Sequence, residues 1–186
     1  MTKNDIDPFR IEKNWPGSSM IHNGKKFKLI SVPVETREGK TDTDLIIHPG
    51  ASVILPLLSQ TEVILIKNKR LSIQDTLLEL PAGTICPPEK PVDCAKRELI
   101  EETGYKANKI EPLGDFYPAP GFCTEQLFAF IAHDLEYVGQ SLDPEENIEV
   151  EIYKLKKVYN MIEKGHIKDA KTISTFFLYM KNDSYL

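Results

Sequence analysis

The chain reads LPAGTICPPEKPVDCAKRELIEETGY over residues 80–105, a turn followed by a helical pattern. Pro91 suits the first turn of a helix, where a missing N–H group costs no hydrogen bond. Apolar side chains then recur at i, i+3 and i+7, which gives the helix one face for the core. These side chains are Val92, Ala95 and Leu99. Gly104 stands where a left-handed C-cap is expected. The stretch therefore predicts a helix that begins at Pro91 and ends at Gly104, fed by a turn at 81–83.

Three glutamates crowd the second half of this helix. Glu98, Glu101 and Glu102 sit at i, i+3 and i+4, so they share one face. Their mutual repulsion and the negative end of the helix dipole each oppose stability by about 0.3–1 kcal/mol. One interpretation is a solvated acidic face. The other is a site for a hard cation such as Mg²⁺, which takes oxygen ligands together with waters and substrate phosphates. The metal site is favoured, because an uncompensated local clash tends to mark function.

Composition narrows the class of protein. The chain has 186 residues, 41% apolar and 27% charged, which suits one globular domain with an elaboration at one end. Its net charge is −5, and no basic stripe points to nucleic acid. Three cysteines without a CxxC pair predict free thiols in a reducing compartment. No run is long enough to predict a membrane span, and the first residues lack an apolar signal region. The expected location is the cytoplasm.

The rest of the chain alternates strand and helix patterns. Residues 1–23 are polar and predict a loosely ordered arm, and residues 37–44 predict a turn. Strands are predicted over 25–36, in two runs within 44–58, and over 62–70, 75–83, 110–121, 125–138 and 148–155. Helices are predicted over 158–165 and 171–182. This order predicts an α+β fold with a mixed sheet packed between helices.

The helix and its preceding loop also resemble the Nudix box, the signature of the Nudix hydrolases. The matching residues are Gly83, Glu89, Arg97, Glu98, Leu99, Glu101, Glu102 and Gly104. Every fixed position of that pattern is present, and Tyr105 departs from it where an aliphatic residue is usual. Such a set of fixed positions is far more specific than a short glycine motif.

Segments outside the box are similar to the ADP-ribose pyrophosphatase branch of this family. They include HPGASVILPL, LLELPAG and YPAPGFCTEQ, in which Pro120 follows Gly104 by sixteen residues, as in that branch. The resemblance implies a Nudix α/β/α sandwich with a mixed β-sheet and an N-terminal β extension. It implies that residues 1–46 form a dimerisation part and residues 47–186 the hydrolase domain. It also implies a homodimer.

The resemblance assigns roles to individual residues. Glu98, Glu102 and the carbonyl of Ala82 would bind Mg²⁺, with Mn²⁺ as a substitute, and Glu101 would complete the cluster. A further carboxylate from the loop LDPEENIEV (142–150) would act as a base or bind another metal, with Glu146 favoured and Glu145 second; a solvated acidic loop is the alternative. Structural roles fall to four residues of the box, Gly83, Glu89, Arg97 and Gly104.

Substrate contacts are expected from residues outside the box. Arg70 would pair with a phosphate or stack on a base, with a surface arginine as the alternative. Phe27 would contact adenine, with a core phenylalanine as the alternative. The other predicted contacts are Glu79, Ala119, Pro120, Gly121 and Glu125. The implied substrate is ADP-ribose or a similar nucleoside diphosphate sugar. The alternatives are a hydrolase of GDP-mannose, another nucleoside diphosphate derivative or a dinucleoside polyphosphate, and a non-catalytic nucleotide-binding module.

Overall fold

A computed structural model describes residues 11–144 and 146–182, which fall into two compact units. The first unit contains residues up to Gly50 together with Tyr117–Gln126, and the second contains the remainder. The helices are α1 (Ile11–Asn14), α2 (Pro91–Thr103), α3 (Leu155–Glu163) and α4 (Ala170–Asn182). The strands are β1 (Ser19–Asn23), β2 (Lys28–Thr36), β3 (Gly39–Ile47), β4 (Ala51–Ser59), β5 (Glu62–Arg70), β6 (Asp75–Glu79), β7 (Ala82–Thr84), β8 (Tyr105–Phe116), β9 (Leu127–Tyr137) and β10 (Ile148–Lys154). No helix in this part of the chain is both long and apolar enough to cross a membrane.

The first unit is built on an antiparallel sheet of three strands in the order β1-β2-β3. Ile30, Val32 and Ile47 form its small core. The turn predicted over 37–44 is confined to residues 37 and 38, because Thr36 already pairs with Gly39 and β3 continues from there to Ile47. The polar, exposed side chains of β3 hid the strand from the sequence pattern, and backbone pairing with β2 decides it.

The arm predicted over residues 1–23 is also wrong in its second half. Residues 11–14 form α1 and residues 19–23 form β1, which pairs with β2. All five side chains of β1 are exposed, so no alternation of buried and exposed residues marks it as a strand. Residues 1–10 lie outside the described part.

The second unit is a mixed sheet with helices on both faces, as predicted. Its strand order is β10-β5-β4-β9-β8, with β6 added beside β5 and β7 beside β4. The β4 and β9 strands pair in parallel, and the other pairs are antiparallel. The predicted hairpin between β4 and β5 is confirmed.

The central strand β4 is buried on both faces. Val53, Leu55 and Leu57 pack in one cluster with Val158 of α3 and Phe176 of α4. Ile54 points to the opposite face, because successive side chains of a strand alternate. There it packs with Ala95 and Leu99, two of the three residues predicted to form the apolar stripe of α2. The unit is therefore an α/β/α sandwich.

Several element limits differ from the prediction. The strand predicted over 110–121 is β8, Tyr105–Phe116, and residues 117–121 belong to the first unit. The turn predicted at 81–83 is partly the strand β7, which pairs with β4. The helix at 91–103 ends as predicted, since Gly104 has φ 78° and its N–H donates to the carbonyl of Ile100.

Candidate active site

Gly83 brings β7 against the carboxylate of Glu98. A Cβ atom at position 83 would lie 1.9 Å from both Cδ and Oε1 of Glu98. That separation is far below van der Waals contact, so only a glycine leaves the carboxylate in this place. The start of α2 is fixed to the sheet as well, because the Ser52 hydroxyl donates to the carbonyl of Pro91 at 2.7 Å. The strand β7 and the helix α2 are thus held together, and we refer to them as the platform of β7 and α2.

Arg97 links the acidic residues around this platform. Its Nε and Nη2 donate to the two oxygens of Glu89 at 2.9 and 3.0 Å. Its Nη1 donates to Glu98 at 2.6 Å and to Glu101 at 2.8 Å. These hydrogen bonds, first of all those to Glu89, raise the pKa of Arg97, and Arg97 in turn lowers the pKa of Glu89. A single guanidinium therefore offsets much of the repulsion along the acidic face of α2.

Glu102 is the most desolvated of the three helix glutamates. Glu102 is 3% exposed, and its Oε2 accepts a hydrogen bond from the Ala82 N–H at 2.8 Å. Burial, followed by the charges of Glu98 and Glu146, raises its pKa to about 8. Burial raises the pKa of Glu98 as well. Two carboxylates are thus buried on the helix face in contact with β7, where their ionised forms lack the solvation that water would provide.

The acidic loop 142–150 brings Glu146 into electrostatic range of the same carboxylates. Its charge contributes to raising the pKa of Glu98 and of Glu102. The Glu146 carboxylate itself accepts a hydrogen bond from the Asp143 N–H at 3.0 Å, within its own loop. Glu145 lies outside the described residues.

Arg70 and Glu79 form an ion pair beside this acidic group. Nε and Nη2 of Arg70 donate to Glu79 at 2.8 and 2.5 Å. Glu79 has no exposed surface, so the expectation that it lines the substrate pocket does not fit. The Glu79 bond, and then the charge of Glu102 among other groups, raises the pKa of Arg70. Arg70 is therefore held by the Glu79 carboxylate, and its charge also interacts with that of Glu102 in the acidic site.

The sequence reasoning missed two residues that complete this ion pair. Lys171 donates to the same Glu79 carboxylate and lies 3.0 Å from Asp169. Lys171 lies in the first turn of α4 and Asp169 directly precedes that helix, about ninety positions beyond Glu79 in the chain. No local pattern connects positions so far apart.

The remaining predicted contacts lie in the first unit, where Glu125 pairs with a histidine. Nδ1 of His48 is 3.6 Å from Glu125 and accepts from the Gly50 N–H. Burial lowers the pKa of His48, and Glu125 opposes this change. The other four residues are Phe27, Ala119, Pro120 and Gly121. Phe27 is exposed, so the alternative of a core phenylalanine is wrong.

The donor set of the second unit suits a hard divalent cation. Within residues 11–144 and 146–182, no three His, Cys, Asp or Glu side chains are grouped closely enough to hold a metal ion. Arg97 engages Glu98 and Glu101 instead. Glu98 and Glu102 are nevertheless two buried oxygen donors with raised pKa values, and a cation would stabilise their charged forms. The missing Cβ of Gly83 leaves the space for this arrangement.

Comparison with known proteins shows the family of the chain. The model of the NUDIX domain family matches residues 47–176, and the chain therefore belongs to the Nudix family. It is an enzyme of the Nudix pyrophosphohydrolase type. An ADP-ribose pyrophosphatase of Bacillus subtilis is 33% identical over 87% of this chain and 89% of its own length. A GDP-mannose pyrophosphatase of Salmonella typhimurium is 31% identical over 67% of this chain and 69% of its own length.

The fold has a counterpart among solved structures. A crystal structure described as an ADP compounds hydrolase superposes with a TM-score of 0.78 and covers 92% of this chain and 95% of its own. At 23% identity, this likeness shows the fold alone. The α+β sandwich with its mixed sheet is thus the Nudix fold, as the sequence predicted.

Proposed function

We propose that this enzyme hydrolyses the diphosphate linkage of ADP-ribose, or of a similar nucleoside diphosphate sugar, in a reaction that depends on Mg²⁺. From ADP-ribose the products are AMP and ribose 5-phosphate. The buried pair Glu98 and Glu102 on the platform of β7 and α2 carries the proposal. The similarity to a Bacillus subtilis ADP-ribose pyrophosphatase over most of both chains supports the choice of substrate.

Mg²⁺ would be held by Glu98, Glu102 and the carbonyl of Ala82, with Glu146 as a further ligand. Mn²⁺ is the proposed substitute. When bound, such ions activate a water molecule and neutralise phosphate oxygens. The raised pKa values of Glu98 and Glu102 support this assignment, because a group destabilised in its charged form by burial gains most from a cation.

The chain's own residues position the groups and handle the proton. Arg97 holds Glu98 and Glu101 in place through one guanidinium nitrogen, and Glu89 orients Arg97. Arg70 binds a phosphate oxygen of the substrate. Glu146 takes the proton of the attacking water at its carboxylate, with Glu101 and Glu145 as the other candidates.

The other predicted roles belong to the same proposal. Substrate contacts are assigned to Phe27, Ala119, Pro120, Gly121 and Glu125 in the first unit. The enzyme is proposed to be a homodimer that uses residues 1–46 for dimerisation. All three cysteines are free thiols, which supports a reducing compartment, the cytoplasm.

A substrate panel tests the proposal. Purified protein is incubated with ADP-ribose, GDP-mannose and a dinucleoside polyphosphate, with Mg²⁺ titrated from a chelated starting point, and kcat/KM is measured for each. We expect the highest kcat/KM on ADP-ribose, formation of AMP and loss of turnover in chelator. The similarity to a GDP-mannose pyrophosphatase makes GDP-mannose the principal competitor. Binding without turnover of any substrate would contradict catalysis and favour a nucleotide-binding module.

A further inference from the structure

Glu79 is a fully buried carboxylate shared by two cations. Arg70 at the end of β5 donates two hydrogen bonds to it, and Lys171 in the first turn of α4 donates another. A buried carboxylate is strongly destabilised unless charge and hydrogen bonds compensate its lost solvation. Glu79 therefore depends on the pair of cations around it.

The first turn of α4 is itself fixed against the strand end that carries Glu79. The Thr172 hydroxyl accepts from the Leu80 N–H at 2.8 Å and donates to Asp169 at 2.6 Å. The Thr172 N–H donates to the same oxygen of Asp169 at 3.0 Å. Asp169 also lies 3.0 Å from Lys171, whose side chain is only 14% exposed. Lys171 is thus held in one place from two sides.

The charges of this group balance. Glu79 and Asp169 carry two negative charges, and Arg70 and Lys171 carry two positive ones. Without Lys171, Glu79 would keep Arg70 as its one cationic partner among these four groups and would lose a hydrogen bond at Oε2, the oxygen that also accepts from Nη2 of Arg70. The Glu79 carboxylate could then rotate, and Arg70 would lose the fixed two-point geometry of its anchor.

Arg70 has one edge free of the Glu79 bonds. Only Nε and Nη2 donate to Glu79, while the side chain of Arg70 is 39% exposed. A guanidinium is planar, so fixing one edge also fixes the direction of Nη1. Such a fork binds phosphate oxygens well when its orientation is set in advance.

We propose that Lys171 is a positioning residue for Arg70, which it orients toward the substrate's diphosphate by holding the Glu79 carboxylate in a fixed orientation. The choice of the diphosphate as ligand rests on the proposed function. The arrangement of Lys171, Glu79 and Arg70 does not depend on it.

The first test measures the orientation of Arg70 without substrate. In protein labelled with ¹⁵N-arginine, the Nε–H signal of Arg70 is assigned through the variant R70K. A hydrogen bond to a buried carboxylate keeps this N–H in slow exchange, so we expect a sharp signal in the wild type. We expect K171M to shift or broaden it and K168M to leave it unchanged. Lys168 is an exposed lysine three residues away, so K168M makes the same change in net charge. An unchanged signal in K171M would overturn the inference.

The second test is a double-mutant cycle on hydrolysis of ADP-ribose. We expect K171M to lower kcat/KM by about tenfold in the wild type and by less than about twofold when Arg70 is already replaced in R70A. An equal loss in both backgrounds would mean that Lys171 does not act through Arg70, and would overturn the inference.

The two tests separate the inference from the proposed function. A wild-type protein that hydrolyses no nucleoside diphosphate sugar defeats the proposed function, while the Arg70 signal still decides the role of Lys171. Thermal unfolding establishes that each variant is folded. If K171M does not fold, K171A, which is smaller and has no side-chain donor, replaces it in both tests.

Discussion

Gly83 and Glu98 show how one missing Cβ atom makes room for a carboxylate. The strand β7 passes so close to α2 that the side chain of Glu98 occupies the space where a Cβ of residue 83 would stand. Gly83 needs no left-handed backbone conformation here, since its φ lies outside the positive region. Its role is therefore space for the functional group rather than conformational freedom.

Replacing Gly83 by alanine is expected to damage activity much more than stability. The atoms that must move belong to a flexible side chain, so we expect the free energy of unfolding to change by less than about 1 kcal/mol. The displaced Glu98 carboxylate should cost about a hundredfold in kcat/KM, because a shift of about 1 Å in a reacting group has that effect. Thermal unfolding and steady-state kinetics measure the two quantities. Full activity in G83A would show that catalysis does not require the Glu98 carboxylate in the position seen here.

Glu102 is expected to lower the stability of the fold at neutral and higher pH while it supports hydrolysis. Its pKa is raised from an ordinary 4.5 to about 8, so the folded state favours the protonated form. Its contribution to stability is complete below about pH 4.5 and is lost as the pH rises toward about 8. At pH 8 in chelator, E102Q should raise the free energy of unfolding by about 1–3 kcal/mol and should remove most of the hydrolysis.

The stability gain of E102Q should shrink toward pH 5, where the folded wild type is protonated. Thermal melts across this pH range in chelator measure the effect. E136Q changes an exposed glutamate on β9 by the same atoms and should alter neither stability nor turnover. If the gain in stability of E102Q did not depend on pH, or if E136Q gained as much, the gain could not be assigned to the raised pKa of Glu102.

At the scale of elements, α2 illustrates how packing and capping hold a helix with unfavourable charges. Its apolar stripe is buried against β4 and β9, and Arg97 compensates its acidic face. Its C-terminus has no basic residue, but Gly104 closes it in a left-handed conformation. A Cβ at Gly104 would lie 2.7 Å from the Tyr137 ring and 2.9 Å from the backbone nitrogen of Gln140.

Two glycines with the same backbone conformation separate capping from packing. Gly104 and Gly165 have φ of 78° and 71°, but a Cβ at Gly165 would meet no atom within 4 Å. G165A should therefore lose only about 1 kcal/mol, the cost of a left-handed alanine. G104A should lose about 2–4 kcal/mol, because the clash adds to that cost. Chemical denaturation measures both, and equal losses would show that the cap is not packed as described.

For the whole molecule, the exposed strand β1 supports the proposed dimer. It is an edge strand of the first unit's sheet, and its apolar residues Met20 and Ile21 are 49% and 52% exposed. An exposed edge with apolar side chains is a surface that another chain can cover.

A charge on β1 should therefore dissociate the dimer. We expect wild-type protein to sediment as a dimer at micromolar concentration and I21K to sediment as a monomer, because a lysine cannot be buried there without a partner. T43K places the same charge on the exposed part of β3, at the other edge of the sheet, and should remain dimeric. A monomeric wild type would contradict the proposed assembly.

Local sequence by itself determined the helix α2, its apolar stripe and its glycine cap, together with the acidic face that raised the question of a metal. These features depend on spacings of a few residues, and helical geometry converts such spacings directly into shared faces. The apolar runs of β4 and β5 were readable too, because a short apolar run bounded by turn signals indicates a buried strand. The strands β1 and β3 were missed because their mostly exposed residues show no alternation.

Only the tertiary structure decided what lies against these features. It brought Lys171 to Glu79 and Asp169 to Lys171, gave Arg97 three carboxylate partners at once and buried Glu102 under β7. The pKa of Glu102 and the anchoring of Arg70 depend on desolvation and on charges brought together from distant parts of the chain. No pattern of neighbouring residues contains that information, since it arises when strands and helices pack.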